Sequence, residues 1–199
     1  MIRNCTLLAF GLLLGLLTSL PVLGQAPQLA KYQKGTTEKG QKVGVWEYYG
    51  YTATGQQVVV QRYDHDKNKL VFFRELPYAT YFTEVKPGEW RYVQPDQPPM
   101  FVGGTGVLGC HMAQLVYPQE AQERLLQGKV TVTIQIDTLG HVAGYRLTQR
   151  LGRSCDEEAM RVARAIPQTW VPARIGSHAV AVEYELPFNF SMKKTPGSI

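Results

Sequence analysis

The chain has 199 residues, 44% hydrophobic and 19% charged, which describes a folded protein and not a disordered one. Its 21 Lys and Arg against 16 Asp and Glu give a net charge of +5, scattered without a basic stripe. No nucleic-acid partner is expected, and a single long apolar segment excludes a multi-span membrane protein.

That apolar segment is residues 6–24, TLLAFGLLLGLLTSLPVLG, preceded by Arg3. A short positive start, a Leu-rich run and small closing residues predict a secretory signal over residues 1–24, cut after Gly24. Pro21 and Gly24 close the run and no basic stop follows. The competing reading is an uncleaved inner-membrane anchor, because the 19 residues of the segment nearly span a core of about 30 Å. Both readings put the rest of the chain outside the cytoplasm, in the periplasm or cell envelope, with membrane contact only if the signal stays. Removing Cys5 with the signal leaves Cys110 and Cys155, an even number in an oxidising compartment. A Cys110–Cys155 disulfide is expected; two unpaired buried thiols are the alternative.

Residues 25–33 read as a loose polar leader, and residues 34–94 as a β-rich segment of hairpins. In its first strand Val43, Val45, Glu47 and Tyr49 share one face, and Trp46 and Tyr48 the other. Further strands are expected over residues 57–63 and 69–74, joined by the polar turn Asp64-His-Asp-Lys-Asn-Lys69. Lys42-Val-Gly-Val-Trp-Glu-Tyr-Tyr49 and Gln61-Arg-Tyr-Asp64 resemble a degenerate MORN-type repeat. A proline cluster from Pro95 and the glycines Gly103, Gly104 and Gly106 mark a linker over residues 95–107.

The second half, residues 108–192, is the more patterned, with residues 193–199 as a tail. Pro118 suits the first position of a helix and Gly128 the position past its end, with Ala121 and Leu125 on one face. Residues 129–137, KVTVTIQID, alternate strictly and predict a half-buried antiparallel strand. Asp137-Thr-Leu-Gly140 turns the chain back, and Ala143-Gly144 breaks the next alternation as a bulge would. Ser154-Cys-Asp-Glu157 fits a capping box. This reading accounts for Asp156, Glu157 and Glu158 without a metal or acid–base site. Ala159, Val162, Ala163 and Ile166 then form the buried stripe of a helix that Pro167 stops, with Arg161 and Arg164 facing solvent. After Trp170-Val-Pro-Ala173, a last strand over residues 179–190 places Val180, Val182, Tyr184, Leu186, Phe188 and Phe190 on one face. Ala181, Glu183, Glu185 and Asn189 lie on the other, and Pro187 marks the strand as a sheet edge.

Several pieces, in this order, resemble the C-terminal domain of TonB-like energy transducers. They are Pro98-Pro99 with Gly103-Gly104, Tyr117-Pro-Gln-Glu-Ala121, Gln127-Gly-Lys-Val-Thr-Val132 and Ile136-Asp137 with Gly140. Cys155-Asp-Glu-Glu-Ala-Met160, Trp170-Val-Pro-Ala173 and Leu186-Pro-Phe-Asn-Phe190 complete them. With the MORN-like leader, the arrangement is similar to exported proteins of the Bacteroidetes type. The resemblance implies an α+β fold: a three-stranded antiparallel sheet with two helices on one face, preceded by a small β-hairpin segment. It also implies a partner, an outer-membrane TonB-dependent receptor or other envelope protein, paired to a sheet edge. Here that edge would be the last strand, with Ala179, Ala181, Glu183 and Glu185 as the binding row. The chain has no His or charged residue between Thr6 and Gly24 to serve as the motor contact of an anchor, and it lacks a long Pro-rich spacer. A secreted scaffold that keeps the fold without energy transduction is therefore the alternative.

No enzyme, cofactor or metal site is expected. His65, His111, His141 and His178 show no ligand spacing, and no nucleophile motif or phosphate loop is present. A metal site of Cys110, His111 and Cys155 is the weaker alternative to a disulfide.

Overall fold

A computed structural model describes residues 29–74 and 79–192. The expected signal, the start of the leader and the tail lie outside the described residues. Strands β1 (Gln33–Glu38), β2 (Gln41–Tyr51), β3 (Gln57–Asp64) and β4 (Lys69–Phe73) form an antiparallel meander in chain order. Trp46 and Tyr48 share one face of β2 as expected; that face is the buried one, and Tyr63 joins them there. The β3–β4 turn is held by Asp64, whose carboxylate accepts from the amides of Asp66 and Lys67, both at 3.1 Å.

A second hairpin, β5 (Tyr81–Lys86) and β6 (Glu89–Val93), leaves this meander and joins the other half of the molecule. There β8 (Gly128–Ile136), β9 (Val142–Gln149) and β13 (Val182–Phe190) form the sheet that the alternation announced. The complete sheet has five strands in the order β6-β5-β13-β8-β9, not the expected three. Its inner face carries Val130, Val132, Ile134 and Ile136 from β8 with Val182, Leu186, Phe188 and Phe190 from β13, all buried. Each such side chain contributes about 1.5–3 kcal/mol. Short pairs complete the half: β7 (Met100–Phe101) with β10 (Trp170–Val171), and β11 (Ala173–Ile175) with β12 (His178–Val180).

Among the described residues there are three helices where two were expected: α1 (Gly104–Met112), α2 (Gln119–Glu123) and α3 (Arg153–Ala165). None is long and apolar enough to cross a membrane. Helix α3 lays Ala159, Val162 and Ala163 on the sheet, with Ile166 beside them, as its stripe predicts. Its start differs from the expected capping box. The N-cap is Gly152, and Ser154 makes no capping bond. Instead the buried Asp156 reaches back to the amides of Leu151 (3.0 Å) and Gly152 (3.5 Å) and takes the Arg150 guanidinium at 2.8 Å. One carboxylate thus anchors the N-cap residue and the residue before it, two positions ahead of the expected Ser-Glu pair. Helix α2 is shorter than expected: Ala121 is buried, but Leu125 lies past its end at φ 55 and is exposed, with Leu126 packed in its place.

Helix α1 occupies a stretch expected to be open linker. Its Gly106 lies against the Tyr32 ring and the Tyr49 carbonyl, where a Cβ would collide, so the helix can press directly on β2. Buried Gln61 of β3 fastens the same junction: its side chain donates to the Phe101 carbonyl (3.2 Å) and accepts from the Gly103 amide (2.8 Å). Gly140 closes the β8–β9 turn at φ 86 and packs on the Trp170 carbonyl, which ties Trp170-Val-Pro-Ala173 to the sheet.

Candidate functional site

The expected binding row does not lie on one continuous strand. Chain pairing breaks at Ala181, so residues 179–190 divide between β12 and β13. Ala179 pairs with Arg174 inside the short β11–β12 ribbon. Ala181 is buried, and its carbonyl accepts from the Glu84 amide at 2.9 Å. Val182 and Glu183 pair on one side with Thr83 and Phe82 of β5. On the other side β8 pairs with β13 along its whole length, from Val182↔Ile136 to Phe190↔Gly128. The last strand is therefore central where it begins. It becomes an edge from Tyr184 to Phe190, where no described strand lies on its second side. Pro187 stands within this open stretch, where its missing amide removes one donor from the free row.

Side chains around the open stretch come from both halves of the chain. Glu185 is exposed and sits opposite Thr133 of β8. Glu183 takes a two-pronged bond from one Arg146 amino group, at 2.9 and 2.8 Å, across the outer face of the sheet. Beside them Phe82, Tyr92, Glu183 and Glu185 line a groove of about 270 Å³, with Tyr92 at 71% exposure. Phe82 stacks obliquely on Tyr92 at 5.2 Å and on Trp90 at 5.5 Å. On the inner face Tyr184 is clamped between Tyr81 and Trp170, with centroids 6.2 and 5.0 Å away, and burial pushes its phenol up to about 12. The outer groove combines free main-chain groups, an aromatic shelf and two carboxylates. It can hold an extended peptide whose backbone completes the ladder and whose side chains meet acidic and aromatic neighbours.

The cysteines are not joined: Cys110, half-buried on α1, and Cys155, buried on α3, are both free thiols. Burial pushes both thiols up, and Asp156 and Glu120 add to the shift at Cys155, so neither is a ready thiolate. Among the described residues no group of three His, Cys, Asp or Glu side chains is placed to hold a metal. What the sequence reading missed is the contribution of β5 and β6. Their aromatic alternation, Tyr81-Phe-Thr and Trp90-Arg-Tyr92, signals strands but not the strand they pair with.

No curated protein and no solved structure matches the chain. The comparisons lend no support to the MORN-like or Bacteroidetes-type resemblances of the first half. Beyond them stands one family match, which begins just after α1 and takes in β8, β9 and β13 but not β5–β6. Residues 113–192 match the family model of the Gram-negative bacterial TonB protein C-terminal, an envelope-associated, transport-linked domain that is not enzymatic.

Proposed function

We propose that this protein is a periplasmic, TonB-like protein-binding module that receives an extended segment of an outer-membrane TonB-dependent receptor, or of another envelope protein, along β13. The observation that carries this reading is the open edge: β8 pairs with all of β13, β5 covers only Val182 and Glu183, and among the described residues no strand pairs with Tyr184–Phe190 on that side. Free main-chain donors and acceptors on an edge are otherwise met by water, so a partner strand can pair there at little cost. The binding row moves accordingly. Of the expected residues, Glu183 and Glu185 flank the partner, while Ala179 and Ala181 serve the join to β12 and β5.

A second reading rests on β5 itself. A strand from outside the matched segment already occupies the start of the edge, which suits a secreted scaffold that keeps the fold without transport. Receptor-derived TonB-box peptides added to the exported full-length protein separate the two. Amide chemical-shift changes along Tyr184–Phe190 at up to about millimolar peptide, a few kcal/mol of binding, support the module. No change there favours the scaffold.

A further inference from the structure

Where the meander meets the second half, a cleft of about 430 Å³ opens between β2–β3, helix α1 and the turns that carry His141 and Trp170. Its volume suits a small ligand. Four basic residues from four separate stretches line it, Lys42, His65, His111 and His141, and among the described residues no Asp or Glu does. Nearby carboxylates stand outside the lining, and Asp66 and Asp64 partly offset the Lys42 charge at His65. Asp64 serves its own turn and Lys67, at 3.2 Å, and Asp137 holds His141 at 3.5 Å.

Lys42 is the centre of this group. Its ammonium donates to Gln33 Oε1 at 2.6 Å and to the Tyr48 hydroxyl at 3.2 Å, and it sits 4.3 Å from the Trp46 ring centroid. Among the described residues no carboxylate pairs with it. A partly buried ammonium without a counter-ion is poorly compensated by neutral donors and ring faces. Burial accordingly lowers its pKa to about 8, and burial followed by the Lys42 charge lowers those of His65 and His111. The hydroxyl of Tyr48 lies 2.7 Å from His65 Nε2. With Lys42 donating to that hydroxyl, the phenol proton goes to Nε2, and His65 keeps its proton on Nδ1 as a further donor. The rest of the lining joins neutral polar groups, Asn68, Gln168 and Thr169, to an apolar wall that includes Val107, Leu139 and Trp170.

We propose that this cleft binds a small organic carboxylate, its head held by Lys42, His65 and His111 and its apolar body laid against Val107 and Trp170. A monoanion matches the single fixed cation, and the apolar wall asks for a body that inorganic anions lack. This site is separate from the β13 edge, and its test does not involve a receptor peptide.

Octanoate is the probe, with octanol and inorganic phosphate as controls, added to the full-length exported protein while the histidine ring resonances are followed. Octanoate is expected to bind one to one below about 1 mM and to shift His65 and His111. Both rings should titrate at higher pH when it is bound, because the carboxylate offsets the Lys42 charge. The Lys42→Gln variant should weaken octanoate about tenfold, the effect of losing one charged hydrogen bond, while Lys42→Arg keeps most of the affinity. Unchanged rings with octanoate overturn the proposal. So does an equal response to octanol, which needs only the apolar wall, or to phosphate, which needs only the charge. If Lys42→Gln fails to fold, His111→Gln must lower octanoate affinity without altering the β13 amides; unchanged affinity overturns the site.

Discussion

The two larger sheets of this protein, the meander and the five-stranded sheet, keep their polar groups in opposite places. In the meander the core is a few large aromatics, and their polar atoms are bonded within it. Trp46 donates to the Thr36 carbonyl at 2.9 Å, Tyr48 meets Lys42 and His65, and Tyr63 donates to Asn68. In the five-stranded sheet the inner face is an aliphatic and phenylalanine ladder, and the polar ties lie on the outer face. There Thr133 bonds Thr148 at 2.8 Å and Arg146 holds Glu183. The second sheet is thus held by packing, which is strong and undirected, and the first by hydrogen bonds, which fix positions but depend on every partner being present.

The largest expected effect comes from breaking the dry core. Phe188 is buried and sits opposite Val130 towards the Phe190 end of the β13–β8 ladder. Phe188→Ala should cost about 3–5 kcal/mol, while Ile134→Val, which keeps most of the contact, should cost about 0.5–1.5. Denaturant midpoints of the two variants check this. A small loss at Phe188 would mean that the ladder is not the main source of stability.

The same comparison predicts that the first sheet responds to chemistry more than to volume. Tyr48→Phe keeps the ring and removes one oxygen, leaving Lys42 and His65 without their shared partner. The expected loss is about 1–3 kcal/mol, the cost of leaving buried polar groups unmet and more than the methylene deletion at Ile134 removes. Equal losses for the two would erase the distinction between the sheets.

Lys42 should also imprint a pH dependence. Its pKa is lowered to about 8 by burial, from an ordinary value near 10.5. Between these values the unfolded chain holds a proton that the native protein has released, so this group makes stability rise with pH from about 8 to about 10.5. Below about 8 both states are charged, and its contribution is constant. Gln33 and Tyr48 face the ammonium, and His65 and His111 feel its charge. Buried tyrosines and cysteines act in the opposite direction at high pH, so the clean observable is the difference between the pH profiles of the native protein and Lys42→Met. A flat difference from pH 8 to 10.5 would place the Lys42 ammonium in water.

The sheets also differ in how far the sequence announces them. Strict alternation in β8, the Asp137–Gly140 turn, a bulge that skips Ala143 and the buried stripe of α3 are all local patterns, and all are present. Helix α1 has no such pattern. Its Gly-rich sequence gains its place from a close approach to β2, which no local window contains. The pairing of β5 with β13 joins residues about a hundred positions apart, so Pro187 could mark an edge but not show that Val182 and Glu183 are covered. The basic cleft was hidden for the same reason: its histidines are isolated in sequence and meet only through the contact between the two halves.

The smallest expected effect tests the outer face. Glu183 and Glu185 both stand on β13, but only Glu183 is tied down, by Arg146 and by its pairing with β5. Glu185 is exposed, next to the free main-chain row, with Thr133 as its cross-strand neighbour. Glu183→Lys should therefore lower stability by up to about 1 kcal/mol, the range for a well-formed surface ion pair. Glu185→Lys should leave stability within about 0.5 kcal/mol, as for other surface changes away from such ties. A reversed charge beside the open edge still alters which peptide side chains are tolerated there, and it changes the association rate and its salt dependence more than the ladder itself. Paired measurements on Glu185→Lys, a denaturant midpoint and the salt dependence of peptide association, should separate these quantities. A variant that loses stability but binds peptide as before would place Glu185 in the sheet's support and move the partner to another edge.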